Sequence, residues 1–259
     1  MQESIIQTQI IDRVGYITLN RPEKRNALNP SMVKELGKAF SDLEKEDEAK
    51  VIVLRAAGKA FCAGADLDYI QQLQKFSFEE NLQDSKNLQG LFRQIYEFPK
   101  IVIAQVEGHA LAGGCGLMTV CDFAFSVPDA LFGYTEVKIG FIPALVSVFL
   151  QEKIGTGKAG ELLLSGDVFA AQKAFQYQLL TEIVDKDLIQ KVVRDFSQQL
   201  VVNNSAFSMQ ETKKLLWTIG KTERDKNLDL AAELNAKARS HEDCQKGIAA
   251  FLSKSKPAW

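Results

Sequence analysis

The chain has 259 residues, of which 46% are hydrophobic and 25% are charged, and its formal net charge is −2. This composition is typical of a globular protein and excludes a disordered or fibrous chain. Basic residues are scattered instead of forming a run, so the sequence indicates no nucleic-acid or membrane partner, and we expect small molecules. No segment reaches the roughly 20 apolar residues of a membrane helix. We therefore expect a cytoplasmic protein, or an organellar one that has lost a transit peptide.

In the first two thirds of the chain, short apolar runs alternate with segments of helical spacing, which predicts a mixed α/β core. In chain order the pattern predicts a hairpin at 4–11 and 15–20, a helix from about 30 to the charged stretch 44–50, a strand at 51–54, a helix at 82–98, a strand at 101–104, a helical segment at 115–120 and a strand at 123–127. Proline at position 99 ends the second helix.

The last third of the chain is predicted to be helical. Segments rich in Leu, Ala, Lys and Gln predict helices at 186–202, 205–217, 222–239 and 241–252. We therefore divide the chain into a core, residues 1–200, and a C-terminal helical region, residues 201–259. With no low-complexity linker between them, the helical region should pack on its own core or on another subunit.

The cysteines and histidines predict no metal site. Cys62, Cys115, Cys121 and Cys244 show no CxxC spacing and lie mostly in apolar stretches, which is typical of reduced, buried thiols. The sequence contains only two histidines, and neither has a second His or Cys nearby.

Two glycine-containing turns, residues 61–67 and 108–116, each lie between a predicted strand and a helical segment. Small residues let a ligand approach the backbone closely, and the start of a helix presents unpaired N–H groups. Two such turns facing one another would form an oxyanion hole. The spacings GxGxxG and GxxxxGK[ST] are absent, so the sequence predicts neither a dinucleotide cofactor nor a P-loop.

Several short motifs follow one another in a set order: Asn20-Arg21-Pro22 with Asn26-Ala27-Leu28, residues 61–67, residues 108–114 with Cys121-Asp122, Phe132-Gly133 to Glu136, and Gly140 to Pro143. In order and spacing these motifs resemble the crotonase (enoyl-CoA hydratase/isomerase) family, from about residue 10 to about residue 252. The resemblance implies a spiral of repeated ββα units with a C-terminal helical region, assembled as a trimer or a dimer of trimers. It also implies acyl-CoA thioester substrates, with coenzyme A as part of the substrate and no separate cofactor.

The resemblance assigns the oxyanion hole to the backbone N–H groups of Ala65 and Gly113, which would hold the thioester carbonyl. Each donor of this kind typically stabilises a transition state by about 3 kcal/mol. Coenzyme A is expected beside Ala63 and Leu67, with Lys24 and Arg25 near its phosphates. Exposed basic residues also occur simply as solvated surface.

Hydratases of this family use two glutamates, and only one is present here. The second matches Glu136, whose apolar neighbours predict a raised pKa suited to proton transfer near neutral pH. The first falls at Gly116, which has no side chain. The space beside Gly116 would then be empty, hold water, or receive a carboxylate of the substrate. The glycine-rich stretch that follows the second glutamate in the family is here Pro143 to Ser147, which predicts a more apolar pocket.

Three functions remain open. We expect hydration of a short or branched 2-enoyl-CoA, with 3-methylglutaconyl-CoA among the candidates, because residues 132–144 look like those of such hydratases. Isomerisation of a 3-enoyl-CoA to a 2-enoyl-CoA is the first alternative, since a single base such as Glu136 suffices. A catalytically silent acyl-CoA-binding protein is the second alternative, because Gly116 replaces a catalytic group.

Overall fold

Two β-sheets organise residues 4–259, the part of the chain that the computed structural model describes. The larger sheet contains, in spatial order, β1 (Ile6–Ile11), β2 (Val14–Leu19), β3 (Val51–Ala56), β5 (Ile101–Val106), β7 (Phe123–Ser126) and β10 (Glu182–Ile183). The smaller sheet contains β4 (Ala60–Cys62), β6 (His109–Leu111), β8 (Leu131–Gly133) and β9 (Val168–Ala170). The edge pairs β1–β2 and β8–β9 are antiparallel, and the other neighbours are parallel.

The chain repeats one unit, in which a strand enters the larger sheet, the next strand enters the smaller sheet, and a helix follows. The helices of these repeats are α2 (Leu67–Leu73) and α3 (Phe78–Tyr96) after β4, α4 (Gly113–Thr119) after β6, and α5 (Ala144–Ile154) after β8, where a 3-10 turn (Glu136–Ile139) intervenes. This arrangement confirms the predicted spiral of ββα units.

The centre of the core is formed by strands that are buried on both faces. Residues 51–54 of β3 and 102–106 of β5 are all buried, as expected for parallel strands that read as continuous apolar runs. Helix α1 (Pro30–Glu44) begins at Asn29, whose side chain accepts a hydrogen bond from the Met32 N–H. Its apolar face then packs against α3 and β1.

Six further helices complete the chain: α6 (Thr156–Ser165), α7 (Ala171–Gln176), α8 (Ile189–Asn203), α9 (Ala206–Thr218), α10 (Lys221–Ser240) and α11 (Glu242–Leu252). The last four confirm the predicted C-terminal helices to within about three residues. The predicted boundary after residue 200 falls inside α8, which packs on β2, β3, β5 and β7. Residues 1–3 of the predicted core lie outside the described residues.

Helix α10 packs along α3 and α5 of the same chain. Among the described residues, five polar contacts join α10 to α3: Arg93 with Asp225, Gln89 with Asp229, Ser85 with Asn235, and Arg239 with both Asp84 and Asn81. The helical region therefore packs on its own core. Among residues 4–259, no helix combines the length and apolar character needed to cross a bilayer.

Candidate active site

A cavity of about 660 Å³ lies where both glycine turns, the Glu136 segment and the helices α1, α3, α5 and α10 meet. Ala65 and Gly113 line it together with Glu136, so the structure brings the three predicted catalytic positions to one space. Much of the remaining wall is apolar and includes Phe92, Leu91, Ile142 and Val146.

The first turn leaves the N–H of Ala65 free for a ligand. Leu28 forms an isolated parallel bridge with Ala65: its N–H donates to Gly64 O at 2.7 Å, and its carbonyl accepts from the Asp66 N–H at 2.8 Å. Because Leu28 pairs with the residues on either side, the polar groups of Ala65 face the other way. Among residues 4–259, the Ala65 N–H has no hydrogen-bond partner.

The motif at residues 20–28 holds this turn in place. Asn26 is fully buried, accepts a hydrogen bond from the Arg21 N–H, and donates to the carbonyls of Ala57 and Ala60. The Arg21 guanidinium pairs with Asp66 at 2.5 Å, and Asp66 also accepts from Asp68 N–H at the start of α2. Arg21 and Asn26 therefore act on Ala65 through the loop that carries it.

The second turn presents Gly113 as the first residue of α4. Ala112, just before it, has φ 48° and ψ −124°, a conformation that L-residues rarely adopt, and its N–H donates to Gly133 O at 2.7 Å. A Cβ on Gly114 would lie 2.2 Å from the Cys62 carbonyl oxygen, so only glycine lets α4 approach β4 this closely. The Gly113 N–H lies in the first turn of α4 and has no partner among the described residues.

Glu136 carries the titratable group expected of a proton-transfer residue. Its Oε2 is buried and has no hydrogen-bond partner within residues 4–259. Burial disfavours the charged form and raises the pKa of Glu136 to about 7, and a hydrogen bond from its own backbone N–H partly offsets the rise. The carboxyl group can therefore accept and return a proton near neutral pH.

Phe92 fills the space beside Gly116. A Cβ on Gly116 would lie 2.8 Å from the Phe92 Cζ and 3.5 Å from a methyl group of Val146. Gly116 is buried and does not line the cavity, whereas Phe92 and Val146 do. The space beside Gly116, expected to be empty or to hold water or a substrate carboxylate, thus holds an aromatic ring, which lies between Gly116 and the cavity.

The predicted coenzyme A positions lie in and beside the cavity. Ala63 lines it, and its N–H donates to Arg25 O at 3.1 Å, which places the basic loop next to the first turn. Leu67, Lys24 and Arg25 lie outside the cavity. Lys24 pairs with Asp68 at 2.8 Å, while Arg25 is exposed and forms no ion pair with any residue of the described chain.

Phe92 and Ala112 were missed by sequence reasoning. The missing side chain at position 116 signals that another group occupies the space, but the helical spacing of α3 does not identify which residue of α3 does so. All four cysteines are buried and free, as predicted. Within residues 4–259, no cluster of three His, Cys, Asp or Glu side chains could hold a metal ion.

Comparisons with known proteins agree with this geometry. The sequence profile of the family described as enoyl-CoA hydratase/isomerase matches residues 9–259. A putative enoyl-CoA hydratase of Thermus thermophilus is 38% identical over 94% of this chain and 96% of its own length. A probable enoyl-CoA hydratase of Rhizobium meliloti is 32% identical over 97% and 95%.

Solved structures of enoyl-CoA hydratases also resemble this chain. The crystal structure of an enoyl-CoA hydratase from Bacillus halodurans superposes with a TM-score of 0.89 at 26% identity, covering 95% of this chain and all of that one. With the profile spanning nearly the whole sequence, the chain belongs to the enoyl-CoA hydratase/isomerase, or crotonase, family of enzymes.

Proposed function

We propose that this enzyme hydrates a 2-enoyl-CoA thioester and that Glu136 is the proton-transfer group. The observation that carries the proposal is the buried, unpartnered Oε2 of Glu136 in the same cavity as the free N–H groups of Ala65 and Gly113. These groups supply the two functions the reaction needs, which are an oxyanion hole and a base of suitable pKa.

One carboxylate can complete this addition. The thioester carbonyl oxygen accepts hydrogen bonds from Ala65 and Gly113, which draws electrons from the conjugated double bond. Ionised Glu136 takes a proton from a water molecule whose oxygen bonds to Cβ, and negative charge moves to the carbonyl oxygen as an enolate. Protonated Glu136 then returns that proton to Cα, so one water is added and the carboxylate is regenerated.

The cavity walls favour an uncharged acyl group. Phe92 and Val146 occupy the place beside Gly116, so no room remains there for a substrate carboxylate. Among the described residues, two cations line the cavity and could meet a carboxylate on a 3-methylglutaconyl group. Asp84 already balances the charge of Arg239 at 2.7 Å, and Lys34 lies on the exposed side of α1. We therefore favour an apolar acyl group over this acidic one.

Isomerisation of a 3-enoyl-CoA is the second candidate. The contact between Phe92 and Gly116 supports it, because the ring leaves no room at that position for a second carboxylate to hold water. Glu136 would remove a proton from Cα and return it to Cγ, again with the enolate stabilised at the carbonyl oxygen.

One assay panel separates the candidates. Purified enzyme is offered 2-enoyl-, 3-enoyl- and 3-methylglutaconyl-CoA in ¹⁸O-labelled water, and products are separated by mass. Uptake of one labelled water by a 2-enoyl-CoA supports hydration. Conversion of the 3-enoyl-CoA at unchanged mass, with no hydration of any substrate, would replace it by isomerisation. Binding of acyl-CoA without any product would indicate a silent binding protein.

We also propose that the enzyme assembles as a trimer or a dimer of trimers. In support, the surface of α9 and the turn after it exposes large apolar side chains, namely Phe207, Leu215, Leu216 and Ile219. Sedimentation velocity measures the assembly directly, and a monomer at micromolar concentration would contradict the proposal.

A further inference from the structure

A buried tyrosine lies two residues before Glu136. The Tyr134 side chain has no exposed surface, and its hydroxyl oxygen is 2.7 Å from Thr119 Oγ1. The Thr119 hydroxyl donates its one proton to Cys115 O at 2.8 Å. The Tyr134 O–H is therefore the donor to Thr119.

This hydrogen bond joins the segment carrying Glu136 to the helix carrying Gly113. Thr119 is the last residue of α4 and Gly113 is the first. At the other end of α4, the Ala112 N–H donates to Gly133 O at 2.7 Å. Helix α4 is thus tied to residues 133–134 both before its first turn and at its last residue.

The Tyr134 hydroxyl and the neighbouring Cys115 thiol stay uncharged at neutral pH. Burial raises the pKa of Tyr134 well above its ordinary value and that of the Cys115 thiol to about 12. The electrostatic neighbours of both groups include Glu136. Of these three groups, only Glu136 changes its charge near pH 7.

We propose that Tyr134 is a positioning residue, whose hydrogen bond to Thr119 fixes the Glu136 carboxyl group relative to the Gly113 N–H. This inference rests on the proposed role of Glu136. The two groups act on two atoms bonded to the same carbonyl carbon of the substrate, the carbonyl oxygen and Cα, so their separation must suit both. A misplacement of about 1 Å in such a site can cost roughly 100-fold in rate.

The test removes the hydroxyl in Tyr134→Phe and, separately, its acceptor in Thr119→Val. Each variant should lower kcat roughly tenfold or more, while KM stays within about twofold. Each should also move the pH midpoint of kcat, because the position and the surroundings of the Glu136 carboxyl group change. The double variant leaves no buried hydroxyl unpaired, so its stability should recover relative to Thr119→Val while its kcat stays low.

Two controls accompany these variants. Tyr177→Phe removes a tyrosine hydroxyl hydrogen bond to Glu161, and because neither residue lines the cavity, kcat and the pH midpoint should be unchanged. Thr119→Ser keeps the acceptor and should retain most of the activity. If Tyr134→Phe does not fold, the comparison of Thr119→Val with Thr119→Ser carries the test.

Unchanged kcat and pH midpoint in folded Tyr134→Phe or Thr119→Val, with only a lower melting temperature, would overturn the inference and assign a purely structural role. The Glu136→Gln variant separates this failure from failure of the proposed function. If Glu136→Gln keeps full turnover, the proposed function falls and the inference falls with it. If Glu136→Gln is inactive and Tyr134→Phe is normal, only the positioning role is overturned.

Discussion

The ring of Phe92 lies against the backbone of Gly116, with its Cζ only 2.8 Å from where a Cβ would be. The two residues form one packed unit, since any side chain at 116 must displace the ring. Phe92 in turn packs edge-on against Phe149, with the ring centroids 6.4 Å apart, so it has little freedom to move.

This contact predicts the behaviour of Gly116→Ala. Alanine normally favours a helix over glycine by about 1 kcal/mol, but overpacking against Phe92 should cost about 1–3 kcal/mol and destabilise the protein. Gly160→Ala is the matched control, because Gly160 is also helical and nothing lies within 4 Å of its Cβ position. Urea unfolding should show a loss for Gly116→Ala and none for Gly160→Ala, and equal stability of the two variants would contradict the packing argument.

The same reasoning applies to restoring a second carboxylate. Gly116→Glu alone should unfold or lose activity, because Phe92 occupies the space. Gly116→Glu combined with Phe92→Ala should fold and hydrate crotonoyl-CoA faster than Phe92→Ala alone. If the double variant folds but hydrates crotonoyl-CoA no faster than Phe92→Ala, a side chain at position 116 does not face the reacting carbons.

The second prediction concerns Ala65. Ala65→Pro removes the free N–H without breaking a hydrogen bond of the turn, because Leu28 binds Gly64 and Asp66 instead. Turnover should fall about 10²-fold or more, as for loss of one oxyanion donor. Circular dichroism and thermal melting verify folding, and full activity in a folded variant would remove Ala65 from the site.

The third prediction is the pH dependence of turnover. Because Glu136 must be ionised to act as a base and its pKa is about 7, kcat/KM should fall as pH drops below about 7. Glu136→Gln keeps the shape and should lower turnover by about 10²- to 10⁴-fold above about pH 7, where the parent carboxyl group is ionised, and should remove this pH dependence. A loss smaller than tenfold would show that another group transfers the proton.

The fourth prediction concerns stability. Between its ordinary value of 4.5 and about 7, folded Glu136 binds more protons than unfolded Glu136, so stability decreases as pH rises through this window. At 1.36 kcal/mol per pKa unit, the full effect is about 3 kcal/mol. Glu136→Gln should therefore be more stable than the parent at pH 8, with a difference that diminishes toward pH 4.5. Parallel stability curves for the two proteins would contradict the buried, ionising carboxyl group.

The fifth prediction tests the basic loop. Arg25 is exposed, lies beside the first turn through the Ala63 N–H, and has no ion-pair partner in the described chain. Arg25→Ala should raise KM for acyl-CoA roughly fivefold at low salt, with kcat unchanged and a smaller effect at high salt. Lys45→Ala, at the far end of α1, removes an exposed cation as a control. Identical KM values for both variants would indicate that Arg25 is only solvated surface.

Continuous apolar runs such as those of β3 and β5 were predictable from sequence because buried parallel strands leave that pattern. The strands of the smaller sheet were not, since three residues hold too little periodicity. Helix α5 was missed because Ala144–Ile154 is apolar on nearly all sides and shows no helical stripe.

The candidate site divides in a similar way. The positions Ala65, Gly113 and Glu136 were predictable because the order and spacing of the motifs can be read from the sequence without knowledge of the fold. The contact of Phe92 with Gly116 and the hydrogen bond of Tyr134 with Thr119 join separate elements, so they depend on packing that no local pattern records.

The strained backbone conformation of Ala112 lowers the stability of the folded protein. A non-glycine residue at φ 48° and ψ −124° typically costs about 1–3 kcal/mol, and the rest of the fold has to supply it. Selection for heat resistance alone would therefore favour glycine at position 112, whereas a methyl group there restricts the peptide that ends in the Gly113 N–H. We therefore expect relatives adapted to different temperatures to differ at position 112. Glycine there would favour thermal stability, and alanine would favour a fixed position of the Gly113 N–H.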